Sequence, residues 1–533
     1  MSSNIFKVSL VAATVAASFG ANAALYNVYL EAPEGTSSSL QTYGVAVAPN
    51  ATVCWSNACS DASSVMATEV KRYREGYQYR DESPFFLPFG YDYLEDNLDG
   101  FRSYCRNYLG YTDTLCDDWG TQQYTNGYKK EQDGNYAGSI AYLDGVQLSY
   151  SQNTVVNSIN ASGDTVGNTN NGATNRMLAF VDAEQNEFQP ADTSDYEESH
   201  AWHNKTLNGD AYLVGSITRD NAGTSIERTS KATIWRDAGA DGGYTETEID
   251  WSSAAARDRY MPQGSARDIM YDGSTTLYAV GYNSDSDERL RAAVFSSTNG
   301  TSWTNTFVSG FPYADNEYAN QTLQAVNDNG IAIGTAKLNQ ALNGAYANTL
   351  FYVNSLSSPT YKAFSGSIFF SGANGKAGNI NNHNDVVGTI DFESHKETNG
   401  KPRAKRAFIA NLGTTSDSAP IGGVARYLDD LTYGSGASTN NNQYRIIEAA
   451  DINDAGIIAA TAYYCDGGFD SEAIDATCNA GASLVGVKLV PINGQTANDI
   501  SARPVAQETI ERQGGTIGFI TLTLLGLLGF RKK

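Results

Sequence analysis

Residues able to do chemistry are sparse. Four histidines occur in 533 residues, His200, His203, His383 and His395, so imidazole general bases are few. Two of them fall in His200-Ala201-Trp202-His203 beside Glu197-Glu198, the one local group that could begin a metal site. A helix would put residues three apart on one face, but this segment precedes a strand-like run, where the two rings point to opposite sides. A metal also needs a third ligand that the segment does not supply, so ordinary loop or surface histidines are the better reading. Oxygen donors of the kind Ca²⁺ takes gather in Asn283-Ser284-Asp285-Ser286-Asp287-Glu288, with Asp285, Asp287 and Glu288 as the carboxylates, and again from Asp237 to Asp241. Neither loop has EF-hand spacing; the expectation is no cofactor, with calcium as the alternative.

The patterns G-x-S-x-G, H-E-x-x-H and G-x-x-x-x-G-K-[ST] do not occur, which removes the sequence evidence for serine hydrolysis, zinc proteolysis and P-loop nucleotide binding. The 59 acids could be paired in many ways as glycosidase carboxylates, so their abundance carries no signal. No residue is assigned a catalytic role.

What would position any such group is a repeat. Its clearest copies are Val326-Asn327-Asp328-Asn329-Gly330 with Ile331 to Gly334, Ile380-Asn381-Asn382-His383-Asn384 with Asp385 to Gly388, Ile452-Asn453-Asp454-Ala455-Gly456 with Ile457 to Ala460, and Ile159-Asn160-Ala161-Ser162-Gly163 with Asp164 to Gly167. Degenerate copies end at Gly215 and Gly281. Each is an apolar residue, an Asn/Asp/Gly corner and a short apolar strand, the signature of a hairpin whose corner needs positive φ. An apolar-aromatic run follows each, for example Ala232-Thr233-Ile234-Trp235 and Arg406-Ala407-Phe408-Ile409. The anchors Gly167, Gly215, Gly281, Gly334, Gly388 and Ala460 lie 48, 66, 53, 54 and 72 residues apart, the size of a four-stranded blade and too long for a solenoid unit. The expected fold is all-β, a β-propeller of seven blades, six being the alternative.

The seventh unit is expected to be split, with Tyr43 to Asn50 as its first hairpin and Gly138 to Leu143 as a later strand. Between them, residues 54–135 form a Cys- and Tyr-rich insertion with an amphipathic helix over Leu94 to Tyr108. Its tyrosines could make a stacking platform, but a locally packed core is the preferred reading. The strand Tyr26 to Leu30 is expected to close the ring against Val485 to Leu489 and remove free sheet edges. An outer-membrane barrel is disfavoured, because these apolar runs are too short for its strands.

A net charge of −23, with 36 Lys and Arg against 59 Asp and Glu, argues against nucleic acid as a partner. At the start, Lys7, an apolar stretch from Val8 to Phe19 and Ala21-Asn22-Ala23 make a signal peptide over residues 1–23, cut by signal peptidase after Ala23. Export suits six cysteines that fall into neighbouring pairs, Cys54 with Cys59, Cys105 with Cys116 and Cys465 with Cys478. Residues 24–53 then supply the first strands, 136–495 the repeats and 496–513 a linker.

Residues 514–533 hold Gly514-Gly515, an uncharged run to Phe530 and Arg531-Lys532-Lys533, with the basic end expected on the cytoplasmic side of a short membrane-spanning helix. This order resembles the GlyGly-CTERM sorting signal, which implies a rhombosortase-type intramembrane protease cutting near Gly514 and Gly515; two glycines leave a helix at little cost. The repeat resembles the HAF-type extracellular repeat, and the chain from about residue 25 to 490 looks like an uncharacterised family of exported bacterial proteins built on it. That resemblance implies a cell-envelope, cell-surface or released location and supplies no catalytic residues. The expected function is a non-enzymatic binding or interaction module for a protein or glycan. An exported polysaccharide hydrolase or lyase is the first alternative, and a passive envelope component the second.

Overall fold

The computed structural model describes residues 22–33, 41–70, 97–133, 135, 140–148, 154–169, 178–182, 186–196, 198–220, 228–239, 243–251, 262–287, 289–413 and 415–505. The leader up to Ala21 and the tail from Ala506, with Gly514 and Gly515, lie outside the described residues. Among those described, no helix is long and apolar enough to cross a membrane.

Strands dominate, and they form small antiparallel sheets. Among the described residues five sheets have four strands; a sixth has eight, in which two four-stranded units touch through one parallel bridge, Leu290 to Asn320. Seven four-stranded units result, each a meander. Their first strands are Tyr43–Val47, Val155–Ile159, Glu198–Leu207, Gly264–Tyr271, Tyr318–Val326, Gly375–Ile380 and Tyr444–Ile452. Each of these packs on the first strand of the next unit, and the seventh packs back on the first. The first strands therefore enclose an axis. Unit seven borrows its outer strand from the other end of the chain: Tyr26–Leu30 pairs antiparallel with Ser483–Pro491, Val28 opposite Leu489.

Second strands such as Ala332–Leu338 and Asp385–Asp391 are buried at every residue, because each sheet has a neighbour on both faces. This is why they read as continuous apolar runs rather than as alternation. The core is accordingly layered between units: Val214 and Ile234 of unit three meet Ile269, Ala279 and Phe295 of unit four, and Ile333 and Leu350 of unit five meet Ala377, Val386 and Phe408 of unit six.

The insertion differs from expectation at its start. Met66–Val70 is the second strand of unit one, paired with Tyr43–Val47 and with Ile140–Leu143, so the excursion begins only after Val70. Cys54 and Cys59 are bonded within the first connection of that unit, not in the insertion. The insertion holds helices Asn97–Tyr104 and Asp113–Gly120, tied by Cys105–Cys116. Of its described tyrosines, Tyr104 and Tyr124 are buried with Phe101, against Tyr108 and Trp119; Tyr73, Tyr77, Tyr79, Tyr91 and Tyr93 lie outside the described residues. It docks onto unit six, where Asn399 N donates to Gly110 O at 2.7 Å and Thr112 N to Gly400 O at 3.2 Å. Residue 400 lies in a second-to-third-strand connection, at the end of the units opposite the Asn corners.

A candidate binding channel lined by every unit

Every first strand carries a β-bulge at the same height. The register against the second strand shifts between Gly44 and Ala46, Val156 and Ser158, Ala201 and His203, Ala266 and Asp268, Leu323 and Ala325, Ala377 and Ile380, and Ala449 and Asp451. The extra residue re-aims its side chain. Val45, Asn157, Trp202, Arg267, Gln324, Gly378 with Asn379, and Ala450 are the residues so displaced, and all of them line one cavity of about 140 Å³ on the axis. A second space of about 320 Å³ lies at the Asn-corner end of the axis. The two share His203, Asn379 and Asp451, so the inner chamber adjoins that mouth.

Side chains next to the bulges fasten the units together. Ser158 Oγ donates to Trp202 O at 2.7 Å, His203 Nδ1 lies 2.8 Å from Arg267 O, Val326 N donates to Asp268 Oδ2 at 2.9 Å, and Val47 N donates to Asp451 Oδ2 at 2.9 Å. Asn379 Nδ2 donates to the other oxygen of Asp451 at 2.6 Å. The repeat asparagines add an outer ring of such bonds. Asn327 Nδ2 donates to Asn381 O at 3.0 Å, Asn381 Nδ2 to Asn453 O at 3.1 Å, and Asn453 Nδ2 to Ala48 O at 2.9 Å. Their Oδ1 atoms meanwhile accept from their own corners, as Asn381 does from His383 N and Asp385 N.

Four carboxylates reach the mouth, from Asp268, Asp328, Asp451 and Asp454. Lys205 Nζ stands 2.6 Å from Asp268 and His203 3.9 Å from it. Burial opposes ionisation of Asp268, yet these two neighbours outweigh it and hold the carboxyl below its ordinary value. Burial pushes the Asp451 carboxyl upward against its hydrogen bonds. Asp328 and Asp454 both accept from Asn382 Nδ2, and Asp454 also from Asn382 N. In the inner chamber the Arg267 guanidinium lies 3.7 Å from the centre of the Trp202 ring and 5.4 Å from that of Tyr282, a stacked arrangement that fixes its plane. Lys376 and Glu448 complete the charged wall.

The segment His200 to His203 therefore does reach the axis, but through Trp202 and His203. His200 is buried on the strand with Glu198 at 3.7 Å, and Glu197 lies outside the described residues. Among the described residues no three His, Cys, Asp or Glu side chains form a metal-binding group. In the loop considered for calcium, Asp285 Oδ1 accepts from Asp287 N and Arg289 N, its Oδ2 is 3.8 Å from Arg291, and Asp287 is 3.2 Å from Arg289; Glu288 lies outside the described residues. Ala23 forms a β-bridge with Ser435. Cys465 and Cys478 are bonded, as are the other two pairs. Reading by sequence missed Arg267, Lys376, Asp451 and Glu448. The usable signal was charged residues inside otherwise buried strands, such as Arg267-Asp268 before Ile269.

Fold and channel define an all-β protein of small antiparallel sheets set round a polar axis. The chain belongs to the family described as DUF3466, protein of unknown function, whose model matches residues 252–533. No curated protein sequence matches the chain. Solved structures to which it is similar include a glycosyl hydrolase from Bacteroides ovatus, at 12% identity and a TM-score of 0.26 over 58% of this chain and 88% of that one. Another is a gluconolactonase from Xanthomonas campestris, at 9% and 0.26 over 44% and 68%. A third is the α-L-arabinofuranosidase from Podospora anserina in complex with cellotriose, at 13% and 0.24 over 57% and 94%. Likenesses this slight bring no activity across.

Proposed function

We propose that the chain is an exported seven-bladed β-propeller acting as a non-catalytic binding module, with its ligand entering the axial channel from the Asn-corner mouth. One observation carries this reading. Of the four carboxylates at the mouth, Asp268 and Asp451 accept a backbone N–H from the next unit, and Asp328 and Asp454 are bonded to Asn382. Carboxylates committed to holding units together are poor general acids and bases, whose protons must come and go. The rival is an exported polysaccharide hydrolase or lyase, favoured by the convergence of carboxylates from units four, five and seven on one mouth. Purified protein mixed with a panel of bacterial polysaccharides separates the two. Saturable binding without new reducing ends is expected; reducing ends released by the wild type and not by Asp451→Asn would replace the binding module with the hydrolase.

Export, with cleavage after Ala23 and a second cut near Gly514 and Gly515, belongs to the same proposal. It is supported by the absence of free cysteines among the described residues, the state expected outside the cytoplasm. Replacing Gly514 and Gly515 by Leu should hold the protein in the membrane fraction; unchanged mobility and release would remove the processing step.

A further inference from the structure

The seven units allow a comparison inside one chain. Where the fold makes the same demand of each unit, the residues recur: an apolar residue before the corner, Asn at the corner of five units with Asp272 in its place in unit four, Gly or Ala opposite the bulge. At the bulge itself the backbone recurs but the side chain does not, running from Val45 and Ala450 through Asn157 and Gln324 to Trp202 and Arg267. Packing therefore does not dictate these residues. A position held in geometry and varied in chemistry, seven times round one cavity, is built to present a particular set of groups to something inside.

We propose that the inner chamber binds a small carboxylate ligand of about six non-hydrogen atoms, with Arg267 and Lys376 as its charge partners. This rests on the channel-binding reading and names the ligand's chemistry. Size comes from the cavity: a void of roughly 150 Å³ takes one benzene molecule, and this one measures about 140 Å³. Charge comes from the wall. In a chain of net charge −23, the chamber places Arg267 and Lys376 against Glu448, with Asp451 at the rim. Both Asp451 oxygens are already engaged, by Val47 N and Asn379 Nδ2, so Arg267 and Lys376 face Glu448 as the other acid of the chamber. Orientation comes from Trp202: a guanidinium stacked at 3.7 Å from the ring centre keeps its N–H groups in one plane, and that planar fork matches a carboxylate. Gln324 and Asn157, the latter with one amide hydrogen already given to Ala201 O at 2.6 Å, stand on either side in the ring and add amide groups suited to a hydroxyl or keto oxygen.

The test is calorimetry and thermal shift on the full chain, with acetate, pyruvate and lactate as probes and with glycerol and methylammonium as neutral and cationic controls, at fixed ionic strength. One-to-one binding of at least one carboxylate is expected, weakened tenfold or more by Arg267→Gln. Because that buried arginine also supports the fold, Ala450→Leu is the second variant: it fills the chamber from a wall residue that holds no partner through its side chain, and should abolish carboxylate binding while ellipticity and unliganded Tm stay unchanged. No carboxylate binding at millimolar concentration overturns the proposal, as does carboxylate binding that survives Ala450→Leu. If glycerol or methylammonium binds in a manner lost in Ala450→Leu while carboxylates do not, the carboxylate assignment falls and the channel reading stands.

Discussion

Gly215 lies directly against the carbonyl oxygen of His200: a Cβ on that glycine would stand 1.7 Å from the oxygen. The same relation holds between Gly167 and Val155 at 1.8 Å, Gly281 and Ser265 at 1.9 Å, Gly334 and Thr322 at 2.0 Å, and Gly388 and Lys376 at 2.4 Å. The glycine that ends each repeat is thus required by the bulge across the sheet, where the first strand turns a carbonyl inward, and not by the corner. Unit seven, which carries Ala460 there, has a further register shift between Ile446 and Glu448.

Gly215→Ala is therefore expected to destabilise by about 2–3 kcal/mol, since both clashing partners belong to backbone in a packed sheet. Gly209→Ala has open space around it and meets only the strain of φ 93°, and should cost about 1 kcal/mol. Denaturant unfolding of the two variants checks the order. Equal losses would mean that the close approach relaxes.

Asn327 tests whether the corner asparagines only shape the turn. Its Oδ1 accepts from Asn329 N at 3.2 Å and Ile331 N at 3.0 Å, while its Nδ2 donates to Asn381 O at 3.0 Å and Asn384 Oδ1 at 2.8 Å in the next unit. Asn327→Asp keeps the oxygen that accepts from Asn329 N and Ile331 N and sets a carboxylate against two oxygens. A residue that only bends the chain would tolerate this, because Asp serves corners as well as Asn. A connector between units would not, and a loss of about 2–3 kcal/mol is expected, with Asn327→Ala no worse than Asn327→Asp.

Much of this was legible in the sequence, for a physical reason. Corner asparagines and apolar strand residues answer the same demand in most of the units, so they recur and can be found by self-comparison. The closing strand Tyr26–Leu30 could be placed because an unpaired edge needs a partner. Arg267 and Gln324 were invisible for the opposite reason: each occupies the bulge of its unit, a position whose chemistry changes from unit to unit. Met66–Val70 was assigned to the insertion because no Asn-Gly corner precedes it; the disulfide-bonded connection around Cys54 and Cys59 takes the corner's place. Nothing in a one-dimensional pattern distinguishes Asn329, which reaches Asn382 O in the next unit, from an ordinary turn residue.

Burial raises the Asp385 carboxyl to about 6, against hydrogen bonds from Asn411 Nδ2 and Ala419 N that favour its ionised form. A carboxyl whose folded pKa exceeds its unfolded value near 4 adds stability below that value and loses it as pH rises through the folded one. The contribution of Asp385 should therefore fall between about pH 4 and pH 6, by on the order of 1–3 kcal/mol. Asp385→Asn is expected to flatten the pH dependence of Tm in that window. A wild-type profile unchanged by the substitution would show that the side chain is hydrated in solution.

Calcium should leave the protein's stability unchanged. A Ca²⁺ site needs six or more oxygens at 2.3–2.6 Å, roughly speaking, with several left open to the ion. In the loop between Leu277–Ser284 and Leu290–Ser297, Asp285 Oδ1 is occupied by the N–H groups of Asp287 and Arg289. Its second oxygen faces Arg291 at 3.8 Å, and Arg291 also reaches Asp315 at 3.3 Å. Asp287 has Arg289 at 3.2 Å. Two guanidinium groups already supply the cationic charge, and a divalent ion would have to displace them while enduring their repulsion. Thermal unfolding in EDTA and in millimolar CaCl₂ should coincide; a rise of Tm with calcium that is abolished by Asp285→Asn would show that the arginines swing away and that this loop is a metal site after all.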